Sequence, residues 1–193
     1  MPTVRPPRIS VIIAVRNGTK TIQRALDSVF EQTYDDIGVV VMDGASTDGT
    51  QAILERNTAR IAFWRSEPDG GIYQAWNKAL DHVTGDWICF LGADDRYHAS
   101  GAMAAIAEAL VADQLQHRVA YGSVHVIRPD GSVDRVAGFP WDDARRRGFL
   151  KGRMIPHQAA FHHRSLFERH GRFDERFRIA GDFELLLREL VDH

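Results

Sequence analysis

Short apolar runs and amphipathic stretches alternate along the first half of the chain. The run from Ile9 to Val15 is continuous and rich in β-branched residues, which predicts a strand covered on both faces of a sheet. After a break at Asn17 and Gly18, apolar residues recur at helical spacing and predict an amphipathic helix: Ile22, Ala25, Leu26, Val29 and Phe30. A strand followed by a helix is therefore the first unit of the fold.

The same order returns along the chain. Further strands are predicted at Gly38–Met42, Ile61–Trp64 and Trp87–Leu91. A helix is predicted to begin near Asp48, with Gln51 three residues on as in a capping box. Another has its apolar face at Ile72, Ala75, Trp76, Ala79, Leu80 and Val83. This alternation predicts an α/β fold with a mostly parallel, doubly wound sheet.

The regular alternation of strands and helices changes beyond Asp95. A helix is predicted from about Ser100 to Ala112, then a strand near Val119 to Ile127, a turn at Pro129 to Gly131 and a returning strand. We expect this half to be antiparallel or mixed. The chain has 193 residues and no linker or repeat, so we expect one domain over 1–193, with lobes at about 8–95 and 96–193.

Composition and charge narrow the class of partner and the compartment. Hydrophobic residues make up 44% and charged residues 26%, as in an ordinary globular protein. The net charge of -2 provides no overall attraction to nucleic acid, so we expect no nucleic-acid partner. The single cysteine, Cys89, is predicted to be buried without a disulfide. Residues 1–8 lack a signal-peptide pattern, and no apolar run is long enough to span a membrane. We therefore expect a cytoplasmic protein. Peripheral docking at the inner face of the membrane stays open.

Acidic residues follow the predicted strands at their carboxyl ends, where doubly wound sheets bind ligands. We expect the tips of three strands to converge on one crevice: Ala14-Val15-Arg16-Asn17, Asp43-Gly44-Ala45-Ser46-Thr47-Asp48-Gly49-Thr50 and Asp94-Asp95. Asp43 has a purely structural alternative as a turn cap. The turn after it matches neither the dinucleotide fingerprint nor a P-loop, which excludes NAD-binding and kinase-like interpretations.

The adjacent acids Asp94 and Asp95 indicate a cation. Two carboxylates at the end of a buried strand repel one another unless positive charge lies nearby. Mg²⁺ or Mn²⁺ is commonly held by one or two carboxylates and completes its shell with phosphate and water. The pair therefore favours a pyrophosphate anchor over two solvated turn acids.

A further acid, Asp182, precedes the apolar residues Leu185, Leu186, Leu187 and Leu190, and so stands at the start of a predicted helix. It is either an N-cap or a carboxylate held ionised and aimed into a cleft as a general base, and neither role excludes the other. The spacing of His157, His162, His163 and His170 matches no zinc signature, and we assign no histidine to a metal.

Taken together, these segments resemble family 2 of the glycosyltransferases: Ser10–Asn17, Asp43–Thr50, Ser66–Lys78, Leu91–Asp95, His157-Gln158 and Gly181-Asp182. Their order and spacing cover almost the whole chain. Ser66–Lys78 is similar to bacterial members that build exopolysaccharide, lipopolysaccharide or glycolipid sugars. The resemblance implies the GT-A fold, a Rossmann-like and mostly parallel sheet flanked by helices, with a smaller mixed or antiparallel acceptor lobe.

The resemblance also implies roles for individual residues. The nucleotide-sugar would be bound by the backbone around Ala14 and Val15, by Asn17, by Asp43 at the nucleobase and by Asp94 at the ribose or sugar. Asp95 would bind Mn²⁺ or Mg²⁺ bridging the diphosphate, and Asp182 would be the catalytic base. Ala93 stands where a strict DXD motif has its first acid, although family members often have a small or polar residue there.

The implied function is metal-assisted, inverting transfer of a sugar from a nucleoside-diphosphate sugar to a hydroxyl of a saccharide or glycolipid, in bacterial cell-envelope polysaccharide synthesis. One alternative is a non-catalytic nucleotide-sugar-binding or scaffold protein. A second is a nucleotidyltransferase, which would need a glycine-rich basic loop. A third is a two-carboxylate hydrolase, which would need an acid with a raised pKa. Family members usually continue past the base-bearing helix. An end at His193 suggests a compact member, a shortened chain, or an acceptor site completed by another subunit, as in a homo-oligomer.

Overall fold

A computed structural model describes residues 5–138 and 140–190. Residues 1–4 and His193 lie outside this range. The expectations about a signal peptide in residues 1–8 and about the chain end depend on them. The elements in chain order are β1 Ile9–Val15, α1 Ile22–Phe30, β2 Ile37–Asp43, α2 Thr50–Arg56, β3 Phe63–Ser66, α3 Ile72–Ala79, β4 Trp87–Phe90, α4 Ala102–Asp113, β5 Val119–Tyr121, β6 Val124–Ile127, β7 Val133–Ala137, α5 Asp143–Phe149, β8 Ala160–His163, α6 Arg164–His170 and α7 Gly181–Leu190.

The central sheet has six strands in the order β3-β2-β1-β4-β8-β5. The pairs β3–β2, β2–β1 and β1–β4 are parallel, whereas β8 runs antiparallel to both β4 and β5. Strands β6 and β7 form a separate antiparallel hairpin. The α/β fold, mostly parallel with a smaller antiparallel part, is confirmed.

Strand β1 is apolar except for the buried Ser10, because helices cover both faces of the sheet. Its residues Val11 and Ile13 pack with α1, α2 and α4 on one face, in the larger core cluster. Ile12 points to the other face and packs in a cluster with α3, α6 and α7. The period-2 alternation of a strand thus buries every second residue on each side, which explains why the strand has apolar residues on both faces.

The second half differs from the expectation in two places. The strand predicted over Val119 to Ile127 is two strands in different sheets: β5 ends at Tyr121 and β6 begins at Val124. Strand β8 was not predicted. Its four residues are too few to show a period, and histidines occupy half of it. It pairs Phe161 with Cys89 in β4, so both halves of the chain build one sheet.

Two local expectations in the first half are also wrong. Strand β3 begins at Phe63 rather than Ile61, since a short 3-10 turn precedes it. The capping box is not formed: α2 begins at Thr50, and the side chain of Gln51 donates to Ser46 O (2.8 Å) instead. Asp48 still contacts the first residue of α2, because its carboxylate accepts a hydrogen bond from the Thr50 N–H (3.0 Å).

Cys89 is fully buried and free, as predicted. Burial raises the pKa of its thiol to about 12, so it packs as a small apolar residue beside the Tyr97 hydroxyl (3.3 Å). Within residues 5–138 and 140–190, none of the helices combines the length and apolar character needed to cross a bilayer.

Candidate active site

The carboxyl ends of β1, β2 and β4 lie at one edge of the sheet, as expected for parallel strands. Val15 pairs with Asp43, and Ile12 pairs with Phe90. Strand β1 therefore lies between the tips that carry Asp43 and the Asp94-Asp95 pair. The tips share an edge, but these acids are not direct neighbours.

Asp43 is buried, with 1% of its surface exposed, and its carboxylate bonds within its own loop. It accepts hydrogen bonds from the Ser46 N–H (3.0 Å), the Ser46 hydroxyl and the Ser66 hydroxyl (2.5 Å). Its main-chain oxygen accepts from the Glu67 N–H (2.9 Å). The side chain thus holds the β2 loop against the end of β3, which is the structural role left open by the sequence.

Asn17 ties the tip of β1 to the same loop. Its backbone is in the left-handed region (φ 54°), which Asn tolerates better than most residues. Its N–H donates to Ser46 Oγ (2.7 Å), and its side-chain oxygen accepts from the Thr47 N–H (3.0 Å). Val15 is buried, and its carbonyl accepts from the Gly44 N–H (2.8 Å), while Ala14 is half-buried. These contacts make the β1 and β2 tips one connected surface.

A cleft of about 420 Å³ opens between the β4 tip and the start of α7. It brings together Asp94, Asp95 and Asp182, which are far apart in sequence. Its lining also includes Ile72, Tyr73, Trp76, Phe90, Gly92, His157, Gln158, Arg178, Ile179 and Ala180. The remaining predicted residues, Ala14, Val15, Asn17 and Asp43, are not part of this lining and belong to the adjoining tips of β1 and β2.

The carboxylates of Asp94 and Asp95 fit a divalent cation. Asp95 is half-buried, and burial together with the charge of Asp94 raises its pKa. Across residues 5–138 and 140–190, neither carboxylate has an ion pair. Arg24 reaches only the main-chain oxygen of Asp94 (3.2 Å). A side chain at position 92 would put Cβ 2.5 Å from Asp95 Oδ2, so Gly92 keeps this space open.

The same pair cannot complete a coordination shell by itself. In the described part of the chain, no three histidine, cysteine, aspartate or glutamate side chains are grouped closely enough to hold a metal. The chemistry of Mg²⁺ and Mn²⁺ suits this arrangement, because they commonly take one or two carboxylates and complete the shell with phosphate oxygens and water.

Asp182 is the second residue of α7, so the strict N-cap interpretation is wrong. Its carboxylate lies in the first helical turn, where the helix dipole favours negative charge. Its Oδ1 accepts a hydrogen bond from the Tyr73 hydroxyl (3.2 Å). The preceding Ala180 has φ 66°, an uncommon conformation for a residue with a Cβ.

Helix α3 secures the segment that leads to Asp182. The side chain of Asn77 is buried and bonds Phe173 twice: its Nδ2 donates to the carbonyl (2.9 Å) and its Oδ1 accepts from the N–H (3.1 Å). Asn77 and Gln74 both donate to the carboxylate of Glu175 (2.9 and 3.0 Å). Two turns of α3 therefore fix the approach to α7.

Two neutral histidines lie at the cleft: His157 in its lining and His162 behind it. The ring of His157 stacks against Trp76 (5.0 Å) and Phe90 (5.5 Å), and burial lowers its pKa to about 4. His162 is fully buried on β8; burial first, then the neighbouring His157, lowers its pKa to about 3. Both therefore act as aromatic packing residues at neutral pH.

The sequence profile described as "Glycosyl transferase family 2" matches residues 10–171. The chain belongs to this family. It is 36% identical over 186 residues to an uncharacterized glycosyltransferase of Mycobacterium tuberculosis, covering 94% of this chain and 68% of that protein. It is 32% identical to a PGL/p-HBAD biosynthesis glycosyltransferase of Mycobacterium bovis, covering 94% and 69%.

Solved structures agree with this family 2 assignment. A Pyrobaculum calidifontis mannosyltransferase, in complex with GDP-Man and Mn²⁺, is 28% identical with a TM-score of 0.68, covering 97% of this chain and 52% of that one. Staphylococcus aureus TarS in complex with UDP-GlcNAc, at 21% identity and a TM-score of 0.70, shares the fold over 96% of this chain and 54% of its own. The family 2 domain described here thus spans about half the length of these structures.

The comparisons confirm the expected family, the GT-A fold and the class of enzyme. The family match ends at residue 171 and so does not include Asp182, whose role must be argued from its position. Sequence analysis missed Tyr73 as a site residue, although it lies within the segment that carries the family resemblance. No local pattern could reveal its partner, which lies 109 positions further along the chain.

Proposed function

We propose that this family 2 domain transfers a glycosyl group, with inversion, from a nucleoside-diphosphate sugar to a hydroxyl acceptor, with Asp182 as general base. One observation carries the proposal: the Asp182 carboxylate lines the same cleft as Asp94 and Asp95. Asp94 and Asp95 are suited to hold a diphosphate through a cation, and Asp182 is suited to take a proton. All three carboxylates therefore line one cleft.

The donor site would extend from the cleft to the tips of β1 and β2. The mannosyltransferase that is 28% identical was solved with GDP-Man, which supports a nucleotide-sugar donor. We propose that Ala14, Val15 and Asn17 present backbone to the nucleoside. Asp43 would act mainly by holding its loop in place, since its carboxylate already accepts three hydrogen bonds.

Asp95, assisted by Asp94, would hold Mn²⁺ or Mg²⁺. The same mannosyltransferase was solved with Mn²⁺, which supports a divalent cation. Such a cation would neutralise charge that develops on the departing diphosphate. Asp94 is exposed and so has room to contact the ribose or the sugar as well.

Catalysis by the chain's own residues would consist of one displacement. The acceptor hydroxyl loses its proton to Asp182 while its oxygen attacks the anomeric carbon. The bond from that carbon to the diphosphate oxygen breaks, and the nucleoside diphosphate leaves with the electron pair. Attack from the face opposite the leaving group inverts the configuration. A positioned base typically contributes ~10²–10⁴-fold to such a step.

We further propose that the acceptor is a saccharide or glycolipid of a bacterial cell envelope, met in the cytoplasm or at the inner membrane face. A relative named for PGL/p-HBAD biosynthesis supports this class. We also propose that the two lobes act as one domain, because β8 and β5 complete the sheet of the first half. A non-catalytic binding protein would not need a carboxylate at the position of Asp182.

The decisive experiment replaces Asp182 with Asn. The amide oxygen can still accept from Tyr73, so folding and donor binding should persist, but the amide cannot take a proton. We expect turnover to fall by about 10²-fold or more with donor affinity little changed. The assay measures nucleoside diphosphate released from a panel of sugar nucleotides with hydroxyl acceptors.

The matched control is Glu184→Gln, which removes another acid from the first turn of α7. Glu184 pairs with Arg188 on the same helix and is not part of the cleft lining. We expect this variant to retain normal turnover. Near-normal transfer by Asp182→Asn would refute the proposed role of Asp182.

A further inference from the structure

The hydroxyl of Tyr73 makes two hydrogen bonds to consecutive residues of α7. It accepts from the Gly181 N–H at 2.8 Å and donates to Asp182 Oδ1 at 3.2 Å. Within residues 5–138 and 140–190, it is the one hydrogen-bond partner of the Asp182 carboxylate. A single side chain on α3 thus contacts both the backbone and the functional group at the start of α7.

Packing holds the Tyr73 ring in place. Only 6% of the residue is exposed, and the ring packs against Trp76 (5.4 Å between centroids) and Phe173 (5.7 Å). Gly181 makes the approach possible, since a Cβ there would come 2.9 Å from the ring. The hydroxyl therefore has little freedom to follow a moving carboxylate.

The direction of the second bond matters for proton transfer. Burial, and then the charge of Asp182, raises the pKa of Tyr73, so the phenol stays protonated and remains a donor. A donor bonded to Oδ1 fixes the rotation of the carboxylate. Oδ2 is left to receive a proton from the cleft.

We infer that Tyr73 is a positioning residue that orients the Asp182 carboxylate toward the acceptor hydroxyl. This inference rests on the proposed function of Asp182 as base. A purely structural role, in which the tyrosine merely fills the core, would require the ring but not the hydroxyl. Tyr73→Phe separates the two, because it keeps the ring and removes the hydroxyl.

The test measures kcat and the donor KM of wild type, Tyr73→Phe, Asp182→Asn and the double variant. The probes are GDP-mannose and UDP-N-acetylglucosamine, with para-nitrophenyl glycosides or water as acceptor. We expect Tyr73→Phe to lower kcat by about 10-fold or more, with the donor KM changed by less than about 2-fold. In the Asp182→Asn background the same change should have almost no effect, because Tyr73 acts through Asp182.

Crystal structures of wild type and Tyr73→Phe provide a readout independent of activity. We expect the Asp182 carboxylate to rotate or to occupy several conformers in the variant. The control is Tyr34→Phe, which removes a hydroxyl that donates to Pro7 O (2.6 Å) before β1. This variant should change neither kcat nor the conformation of the Asp182 carboxylate. If Tyr73→Phe fails to fold, Gly181→Ala, which displaces the ring, should show the same loss of kcat at unchanged donor KM.

The outcomes separate the two proposals. Normal kcat and an unmoved carboxylate in Tyr73→Phe would overturn the positioning role while leaving Asp182 as base. An equal loss of kcat in both backgrounds would also overturn it, since Tyr73 would then act independently. Near-normal turnover in Asp182→Asn would instead remove the proposed base, and the crystal structures would still decide whether Tyr73 orients the carboxylate.

Discussion

Replacing Asp43 with Ala should destabilise the fold more than its position at the end of β2 suggests. The substitution removes the acceptor for the buried Ser46 N–H, the Ser46 hydroxyl and the Ser66 hydroxyl. Ser46 is only 5% exposed, so water cannot easily replace the lost partner of its N–H. An unsatisfied buried polar group costs about 1–3 kcal/mol.

The magnitude follows from these contacts. A buried amide and a buried hydroxyl lose their acceptor, and removal of a buried charge offsets part of the loss, so we expect about 3 kcal/mol of lost stability. In a domain of this size that lowers Tm by about 6–12 °C. Asp43→Asn keeps one acceptor oxygen and should lose only about 1–2 kcal/mol.

The assay is denaturant and thermal unfolding of both variants, with Asp48→Ala as the matched control. Asp48 lies in the same loop and also accepts three hydrogen bonds, from Thr19 and Thr50, but it is exposed. Water can therefore replace it, and its loss should cost much less. If Asp43→Ala unfolds like wild type yet loses nucleotide binding, Asp43 is a nucleobase ligand and its loop-holding role is refuted.

Two further predictions concern protons and metal. His162 has its pKa lowered from 6.5 to about 3 by burial, so only the unfolded state takes up its proton as pH falls below about 6.5. Stability should therefore decrease from pH 7 to pH 5, and His162→Leu should reduce that decrease by about 2 kcal/mol. A variant with an unchanged pH slope would count against this. Nucleoside diphosphate binding should depend on the cation in wild type and lose most of that dependence in Asp95→Ala. Calorimetry with Mn²⁺ or with chelator measures this dependence. Equal binding by wild type with chelator would argue against a metal at Asp95.

The parallel half of the fold could be predicted because its information is local. Strand β1 is buried on both faces and is apolar except for Ser10, while α1 shows a clear helical period. The acids at the strand ends followed from the rule that ligands bind at the carboxyl edge. Burial around those acids was not readable: Asp43 is only 1% exposed, whereas Asp94 is exposed.

The rest depended on contacts between distant segments. Helical periodicity placed Ile72 on the core face of α3, but Ile72 is 46% exposed at the cleft and Tyr73 is buried. Tyr73 turns inward because its hydroxyl finds partners in Gly181 and Asp182, more than a hundred positions away. The strand β8 escaped prediction for a similar reason, since its place between β4 and β5 compensates for its short length.

The insertion of β8 between β4 and β5 constrains how this enzyme can be recombined with its relatives. A chimera joined just after Asp95 would replace the strand that pairs with Cys89 and so disturb the neighbour of β4, the strand whose tip leads to Asp94 and Asp95. The β6–β7 hairpin, by contrast, is a separate two-stranded sheet with mostly exposed side chains. Grafts that exchange this hairpin keep every strand pair of the central sheet, so the hairpin can be exchanged between family members without breaking that sheet.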